Sequence, residues 1–337
     1  MASLIELINK IQTEADAYIY LEQMRWPDGQ PPACPHCGGN EKPPVYLQPK
    51  NGVSRETRTG NVSQRRVWKC KTSGCRKQFS VLTNTPMHGT KIPVRVWVMV
   101  TFEMCASKNG VSAREIERKY DLSPKSAWFL LHRIREGMTE APPQWDEGTV
   151  VVDEAYMGPK VNRMNNKAKK AHLERHQTER GTTAPGAGKT PIVTLINRET
   201  GETYSKVMND VNRNSVRRAI AEIAPDLSSI DLHTDGAHMY KDIGKGARSH
   251  EIADHAKGEY VTKNGGGTNP VESFFAQFKR SLDGTHHHVS HEHLHRYLHE
   301  FGFRHSTRQM NDAKRLDTYY RNLFGKRLTY RPTQRLA

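Results

Sequence analysis

The stretch GTVVVDEAYMG at residues 148–158 decides the fold of this chain. Its three consecutive valines, Val150 to Val152, are typical of a buried strand, and they deliver the carboxylate of Asp153 to the end of that strand. Glu154 must point to the opposite face, because side chains alternate along a strand. The pattern predicts that one carboxylate of this pair faces a site, although Asp153 taken alone could also be a solvated strand end.

A second apolar run also ends in an aspartate, in SSIDLHTDGAHMY at residues 228–240. Ile230 and Leu232 alternate with polar residues and predict a strand that ends at Asp235. Asp235 is followed by Gly236, and the dipeptide Asp-Gly is common in hairpin turns, so Asp235 could instead serve only to form a turn. Both interpretations of Asp235 stay open when this stretch is taken alone.

The third carboxylate of interest, Glu272, lies in TNPVESFFAQFKRSL at residues 268–282. Glu272 and Lys279 share one helical face, beside an apolar stripe that must pack inward, so the carboxylate can reach a central site. Alternatively, Asn269 caps the helix, Pro270 is its first residue, and Glu272 closes a capping box. The two roles compete for one side chain, and the sequence leaves them balanced.

The charge of the chain favours a polyanionic partner. The 337 residues include 51 Lys and Arg against 36 Asp and Glu, a formal net charge of +15. A membrane partner fits poorly, because the longest apolar stretch, residues 94–105, is too short to span a bilayer and contains Arg95 and Glu103. The N-terminal residues also lack the pattern of a signal peptide. We therefore expect a cytoplasmic protein that binds nucleic acid and no membrane.

The order of predicted elements from residue 146 onward indicates an α/β fold. Three strands, a helix and the strand ending at Asp235 precede the helix that begins near Pro270. This order is typical of a ribonuclease H-like mixed sheet with flanking helices, here assigned to residues 146–310. The basic insert at 160–189 has almost no large apolar residues, and we expect it to stay mobile until DNA binds.

Four of the five cysteines form two local pairs, CPHCGG and CKTSGC. Thiolates at such spacings predict one structural zinc ion in a reducing compartment, with four sulfur ligands that leave no open position. The predicted ligands are Cys34, Cys37, Cys70 and Cys75. His36 is a possible substitute ligand, and Cys105, in an apolar run, is expected to be a small buried hydrophobe.

Four further segments complete the predicted organisation. Residues 1–28 form an N-terminal helix, since apolar residues recur there at helical spacing. The zinc ribbon takes residues 29–90, a helical module resembling a helix-turn-helix takes 91–145, and a basic C-terminal tail takes 311–337.

The helical module contains two helices with clear boundary signals. Ser112 can cap the helix AREIERKY, and Ser123 followed by Pro124 can begin the helix KSAWFLLHRIREG, which ends at Gly137. This spacing resembles a DNA-binding helix-turn-helix. Many other helical hairpins look similar, so the spacing alone leaves DNA recognition open.

Two other motifs argue against rival chemistries. The stretch TTAPGAGKT has Thr183 where a phosphate-binding loop needs its first glycine. The histidine-rich stretch after Gly284 lacks the HExxH pattern of a zinc protease. Leu294, Leu298 and Phe301 trace the core stripe of a helix there, so we expect its histidines to form a polar face with some rings buried.

Taken together, these stretches resemble the bacterial insertion-sequence transposases that join an N-terminal zinc ribbon to a DDE catalytic domain. The resemblance rests on CPHCGG with the later cysteine pair, QFSVLTNTPMHGTKIPVRVW, VVVDEAYMG, LHTDGAHMY and TNPVESFFAQFKRSLDGTHHHVSHEHLHRYLHEFGFRHSTR, in that order. It covers about residues 15–310. The departures are the CxxxxC spacing of the second cysteine pair, and His286 and His305 where aromatic residues are expected.

The resemblance implies a catalytic triad of Asp153, Asp235 and Glu272 that holds two Mg²⁺ or Mn²⁺ ions. Some relatives use an asparagine as the third ligand, which makes Asn269 the alternative to Glu272. Lys279 follows the third acid by two helical turns and would hold a DNA phosphate. The predicted DNA contacts are Lys125, Arg133, Arg135, Lys279 and Arg280.

The implied function is transposition. Such a protein binds the terminal inverted repeats of its element as double-stranded DNA, cleaves there, and joins the freed 3′ end to target DNA in the nucleoid. Pairing of two ends implies a homodimer or a larger assembly. Two alternatives share the fold: a catalytically silent, domesticated relative that regulates by binding DNA, and a ribonuclease H-like nuclease that cuts without joining.

Overall fold

The computed structural model describes residues 3–26, 28–47, 55–56, 62–158, 165–176, 188–253, 257–258, 261–262, 265–287 and 289–329. The chain forms two compact units. The first contains Met1–Thr139 and Arg308–Ala337, and the second contains Glu140–Thr307. Within the described ranges, no helix is both long enough and apolar enough to cross a membrane.

The N-terminal segment contains two helices where the sequence predicted one. Helix α1 spans Leu4–Lys10 and helix α2 spans Glu14–Arg25. The break follows from a capping box: the Thr13 hydroxyl accepts the Asp16 N–H at 3.2 Å, and the Asp16 carboxylate accepts the Thr13 N–H at 2.8 Å. Helical spacing of apolar residues continues across this break, which is why it did not reveal the second start.

The ribbon is built from very short strands. Strands β1 (Val45–Tyr46), β4 (Trp68–Lys69) and β5 (Gln78–Phe79) form an antiparallel sheet in the order β1-β4-β5, and β2 (Arg55–Glu56) pairs with β3 (Val62–Ser63). Helix α2 holds this sheet through Glu22, a buried carboxylate that accepts from Trp68 Nε1 at 2.9 Å and from Arg66 Nε at 2.7 Å.

Three helices follow the ribbon. They are α3 (Val94–Ala106), α4 (Ala113–Tyr120) and α5 (Pro124–Gly137). The predicted caps are confirmed, since the hydroxyls of Ser112 and Ser123 accept N–H groups of the first turns. The predicted end of α5 is also confirmed, but Gly137 serves close packing there: a Cβ atom at this position would lie 2.5 Å from the Tyr319 hydroxyl oxygen.

The segment predicted as a basic tail begins with a packed helix. Helix α11 (Asp312–Arg321) contacts α2 and α3, with Leu316, Tyr319 and Tyr320 buried. Arg315 donates to the Cys105 carbonyl at 2.8 Å. The count of basic residues concealed this apolar stripe, and residues 330–337 lie outside the described residues.

The second unit is a five-stranded mixed sheet with flanking helices. Its strands are β6 (Gly148–Met157), β7 (Thr190–Asn197), β8 (Thr203–Val207), β9 (Ile230–Asp235) and β10 (Ser249–Ala253), in the order β10-β9-β6-β7-β8. Strands β6, β7 and β8 pair antiparallel, whereas β9 is parallel to β6 and β10 to β9. The predicted ribonuclease H-like α/β fold is confirmed.

Four helices cover the two faces of the sheet: α7 (Arg213–Ala221), α8 (His238–Gly244), α9 (Asn269–Ser281) and α10 (His291–Ser306). A fifth helix, α6 (Asn166–His176), is exposed wherever its side chains are described. Val150 and Val152 pack in one core with α7 and α8, whereas Val151 and Ala155 pack in another with α9 and α10. Alternation along β6 thus separates two cores and decides which helices each side chain meets.

Helix α6 occupies part of the insert that the sequence predicted to be mobile. Lysine, alanine and glutamate favour a helix without any apolar core, and Lys170 and Glu174 form an ion pair one turn apart. The prediction rested on the missing apolar residues and overlooked this local preference. The remaining insert residues, 160–164 and 177–187, lie outside the described ranges.

Candidate active site and metal centre

The structure places Asp153 and Asp235 side by side. Strands β6 and β9 are parallel, with Thr149 level with Asp231 and Val151 level with His233. Two more residues along each strand bring Asp153 level with Asp235, with both side chains on the same face. Asp235 ends β9 as predicted, whereas β6 continues to Met157, so the prediction that Asp153 ends its strand is wrong. The two carboxylates meet on one face of the sheet where β9 ends.

Glu272 approaches from the helix that covers this face. Helix α9 packs through Val271, Phe274 and Phe278 into the same core as Val151 and Ala155, which flank Asp153 on its face of β6. Glu272 lies in the first turn of that helix. Its carboxylate is near enough to Asp153 to contribute to the pKa of that residue.

The electrostatics of the site are those of crowded acids. Burial, followed by the charges of Glu154, Asp235 and Glu272, raises the pKa of Asp153 to about 8. The neighbours that set this pKa are carboxylates rather than cations. An oxygen-rich donor set with uncompensated negative charge fits a divalent cation such as Mg²⁺.

The buried hydroxyl of Thr268 orients Glu272. Thr268 Oγ1 donates to Glu272 Oε1 at 3.0 Å, and the Thr268 carbonyl accepts the Glu272 N–H at 3.0 Å. Thr268 is the N-cap residue, so Asn269 is the first helical residue and the predicted capping box around Asn269 is wrong. Asn269 is exposed, whereas Glu272 is half-buried toward the acid cluster.

Glu154 faces away from Asp153, as the alternation of the strand predicted. Its Oε2 accepts the hydroxyl of Tyr240 at 2.7 Å, and Tyr240 is fully buried in α8. The N–H of Ala237, the N-cap residue of α8, donates to Asp235 Oδ1 at 3.0 Å. One short helix thus contacts carboxylates on both faces, at Asp235 and at Glu154.

Thr268 and Tyr240 were missed by the sequence analysis. A threonine before a helix and a tyrosine within one are common, and neither signals a partner. Glu154 is half-buried on the opposite face from Asp153, and its need for a donor there was the available clue to Tyr240.

The basic residues after Glu272 are exposed, as a role in contacting DNA requires. Lys279 lies two turns beyond Glu272, with its ammonium 5.9 Å from the centroid of the Phe275 ring. Arg280 donates to Gln277 Oε1 at 3.0 Å.

The two histidines that stand where the family resemblance predicts aromatic residues pack as aromatic rings. His286 meets Tyr297 edge to face at 4.8 Å between centroids, and His305 meets Phe274 at 5.6 Å. Leu294, Leu298 and Phe301 are buried in the core, which confirms the predicted helical stripe.

The four predicted zinc ligands converge in the first unit. The sulfur atoms of Cys34, Cys37, Cys70 and Cys75 all lie within 4.8 Å of one another. The N–H groups of His36 and Thr72 donate to the sulfurs of Cys34 and Cys70, both at 3.4 Å, and the Thr72 side chain lowers the pKa of Cys70 to about 6. These features suit a tetrahedral zinc ion bound by thiolates.

His36 stands outside this cluster. Its ring is exposed and lies edge-on to Phe79, with 6.4 Å between centroids. Among the residues that the structure describes, the four cysteines are the one group of three or more candidate ligands whose ligand atoms lie this close together. The carboxylate oxygens of the acid cluster in the second unit are therefore farther apart than the cysteine sulfurs.

Two predicted DNA contacts do not lie at the surface. Arg133 and Arg135 are 7% and 1% exposed. Arg133 donates to the His88 carbonyl at 2.8 Å and covers the Trp97 ring at 4.9 Å. These positions do not fit the contacts predicted for them, because helical spacing did not show which face of α5 is buried. Lys125, at the start of α5, is exposed.

Two family models match parts of the chain. Residues 147–306 match the family described as the ISXO2-like transposase domain. Residues 12–78 match the transposase zinc-ribbon domain. No curated protein matches the chain.

Proposed function

Because this chain belongs to the insertion-sequence transposases that join a zinc ribbon to a DDE catalytic domain, we propose that it binds the terminal inverted repeats of its element and catalyses metal-dependent cleavage and strand transfer of DNA. The observation that carries the proposal is the clustering of Asp153, Asp235 and Glu272 on one face of the sheet, where β9 ends. The net charge of +15 supports a DNA partner.

The chemistry consists of two phosphoryl transfers. In cleavage, water attacks a phosphodiester at the end of the element and the 3′ oxygen leaves as a hydroxyl. In strand transfer, that 3′ hydroxyl attacks a target phosphodiester and the target's own 3′ oxygen leaves, so one bond forms for each bond broken. No covalent intermediate with the protein is needed.

The residues of the chain have distinct roles in these steps. Asp153, Asp235 and Glu272 would hold Mg²⁺ or Mn²⁺, which supplies charge stabilisation at phosphorus and an acidified oxygen nucleophile when bound. Asp153 must be ionised to do so. Thr268 and the Ala237 N–H fix the orientations of two of the carboxylates.

The DNA itself would be held by basic residues around the site and in the first unit. Lys279 and Arg280 are placed to contact phosphates close to the reacting bond, which fixes the position of the strand. Lys125 and the zinc ribbon would contact the inverted repeat. Since two ends must be joined to one target, we propose a homodimer or a larger assembly on paired ends.

The deciding experiment is a joining assay with Mg²⁺ and the DNA that flanks the gene. Asp153→Asn and Asp235→Asn should reduce both cleavage and joining to background while end binding persists. Asp231→Asn is the matched control, because Asp231 lies on the same strand but pairs with Arg248 and Ser249. Full joining by either active-site variant would refute the assignment.

The same assay separates the alternatives. Cleavage without joining would identify a nuclease, and binding without cleavage would identify a silent DNA-binding relative. The third ligand is identified by comparing Glu272→Gln with Asn269→Ala. We expect loss of cleavage in the first and retained cleavage in the second.

A further inference from the structure

The first unit contains a polar cavity that no part of the proposed chemistry uses. It has a volume of about 140 Å³ and lies between α2 and the segment that follows β5. Tyr18, Arg65 and His88 line it, together with the hydroxyl-bearing Thr83 and Thr90. The described part of its lining contains no acidic residue.

Three hydrogen-bond donors of this cavity have no side-chain partner within the described ranges. They are the phenol of Tyr18, which is 5% exposed, the guanidinium of Arg65 and the imidazole of His88. The threonines differ, since Thr83 accepts the Ser80 N–H and Thr90 accepts from Trp97 Nε1. Tyr18 is buried, His88 is half-buried and Arg65 is exposed, so the three donors line the cavity and are available to a ligand that accepts hydrogen bonds.

Charge around the cavity favours an anion. Arg133 lies directly behind the wall, since its guanidinium donates to the His88 carbonyl at 2.8 Å. Burial, with the charges of Arg327, Arg133 and Arg65, lowers the pKa of His88. A negative ligand would relieve this repulsion and satisfy the donors together.

We propose that this cavity binds one phosphate of the DNA backbone, with Tyr18, Arg65 and His88 as its hydrogen-bond donors. A phosphodiester suits the lining because its unesterified oxygens accept hydrogen bonds, carry negative charge and have no proton to donate. The assignment rests on the proposed function, which supplies DNA as the polyanion. It also gives Arg133 a positioning role in place of the direct contact predicted from the sequence.

The test uses the full chain and a duplex that carries one end of the element. Phosphates of the duplex are replaced one at a time by uncharged methylphosphonates, and affinity is measured for each. Arg65→Ala should weaken binding to the unmodified duplex about tenfold and lower the salt slope by about one. At one position of the duplex, the methylphosphonate should weaken binding of the wild type but should not weaken binding of the Arg65→Ala variant any further.

Two variants keep the result interpretable. Tyr18→Phe preserves the packing and should weaken binding less, but at the same phosphate. Arg321→Ala removes an equal charge from an exposed position outside the cavity. Every methylphosphonate that weakens binding of the wild type should also weaken binding of this control variant. Circular dichroism confirms that each variant is folded.

The remaining outcomes overturn the proposal in distinguishable ways. Equal affinity of Arg65→Ala and the wild type, or a loss shared equally by all phosphates, refutes the cavity while leaving the transposase assignment intact. Failure of the wild type to bind any end duplex refutes both. A last outcome combines two results: inorganic phosphate at constant ionic strength raises the melting temperature only when Arg65 is present, and each methylphosphonate weakens binding equally in the wild type and in Arg65→Ala. The cavity would then bind a free anion and not the DNA backbone.

Discussion

The carboxyl group of Asp153 connects the proposed catalysis with stability. Its pKa of about 8 in the folded protein lies above its ordinary value of 3.8, because burial and three carboxylates favour the protonated form. Between these values the folded state retains a proton that the unfolded state has lost. The free energy of unfolding therefore falls as pH rises from about 4 to about 8.

Asp153→Asn should remove the fall in the free energy of unfolding that ionisation of Asp153 causes as pH rises, because an amide does not ionise. In buffer without added divalent cations, we expect the variant to melt above the wild type at pH 8, by roughly 2–4 °C for each 1 kcal/mol gained. The difference should shrink toward pH 4. Melting curves across this range test it, and a difference that does not change with pH would contradict the predicted environment of Asp153.

Thr268 offers a second test at the scale of single atoms. Thr268→Val keeps the shape of the side chain and removes the hydroxyl that donates to Glu272 Oε1. We expect cleavage to require about tenfold more Mg²⁺, as is typical when the partner of a metal ligand is lost. Thr268→Ser retains the hydroxyl and should restore the wild-type requirement. Equal Mg²⁺ requirements for the Val and Ser variants would exclude this orienting role.

Sequence analysis identified the residues of the acid cluster but not their supports. Asp153 and Asp235 were singled out because apolar strand patterns are local. Asp235 does end β9, but β6 continues past Asp153 to Met157, because local pattern did not show where that strand stops. The partners of Glu272 and Glu154 depend on how α8 and α9 pack, which local pattern does not encode. The prediction that Arg133 contacts DNA failed for the same reason. Its side chain is covered by Trp97, which lies on another helix, and local pattern does not show that contact.

At the scale of elements, the ribbon depends on its metal. Its strands are two residues long, and a sheet of that size buries too little apolar surface to fold alone. Cys70→Ser should therefore release the single zinc and expose Trp68, which is 4% exposed in the folded chain. Zinc content and tryptophan fluorescence measure both effects.

The control for this prediction is the fifth cysteine. Cys105 is fully buried in α3 and lies outside the ligand group. Cys105→Ala should keep one zinc per chain. A Cys70→Ser protein that retains zinc and its Trp68 environment would contradict the assigned ligand set.

Elements with strong end signals were the most predictable. Helices α4 and α5 begin at the predicted serines because an N-cap is a local hydrogen bond. The start of α9 was misplaced by one residue, because Asn269 is a good cap in isolation whereas the buried Thr268 takes that place. Strand β10 was not predicted, since its burial depends on its parallel neighbour β9.

At the scale of the whole molecule, the chain leaves the first unit at Thr139 and returns to it at Arg308. Local patterns cannot predict such a return, because the contacts join residues about 200 positions apart, as Arg315 and Cys105 are. Half of the residues in the helix that returns, α11, are charged, and the helix has one apolar stripe. Whether it acts as a basic tail or as part of the core can be decided by mutation.

Tyr320→Ala should destabilise the first unit strongly, because the side chain is fully buried and its ring meets Tyr20 at 5.8 Å. We expect a loss of about 3–5 kcal/mol, as for other large aromatic truncations. Lys314→Ala, on the exposed face of the same helix, should leave the melting temperature unchanged. If the segment acted only as a basic tail, removing Lys314 would weaken DNA binding while removing Tyr320 would leave stability intact. Thermal melting and duplex binding of the two variants therefore separate a structural helix from an electrostatic tail.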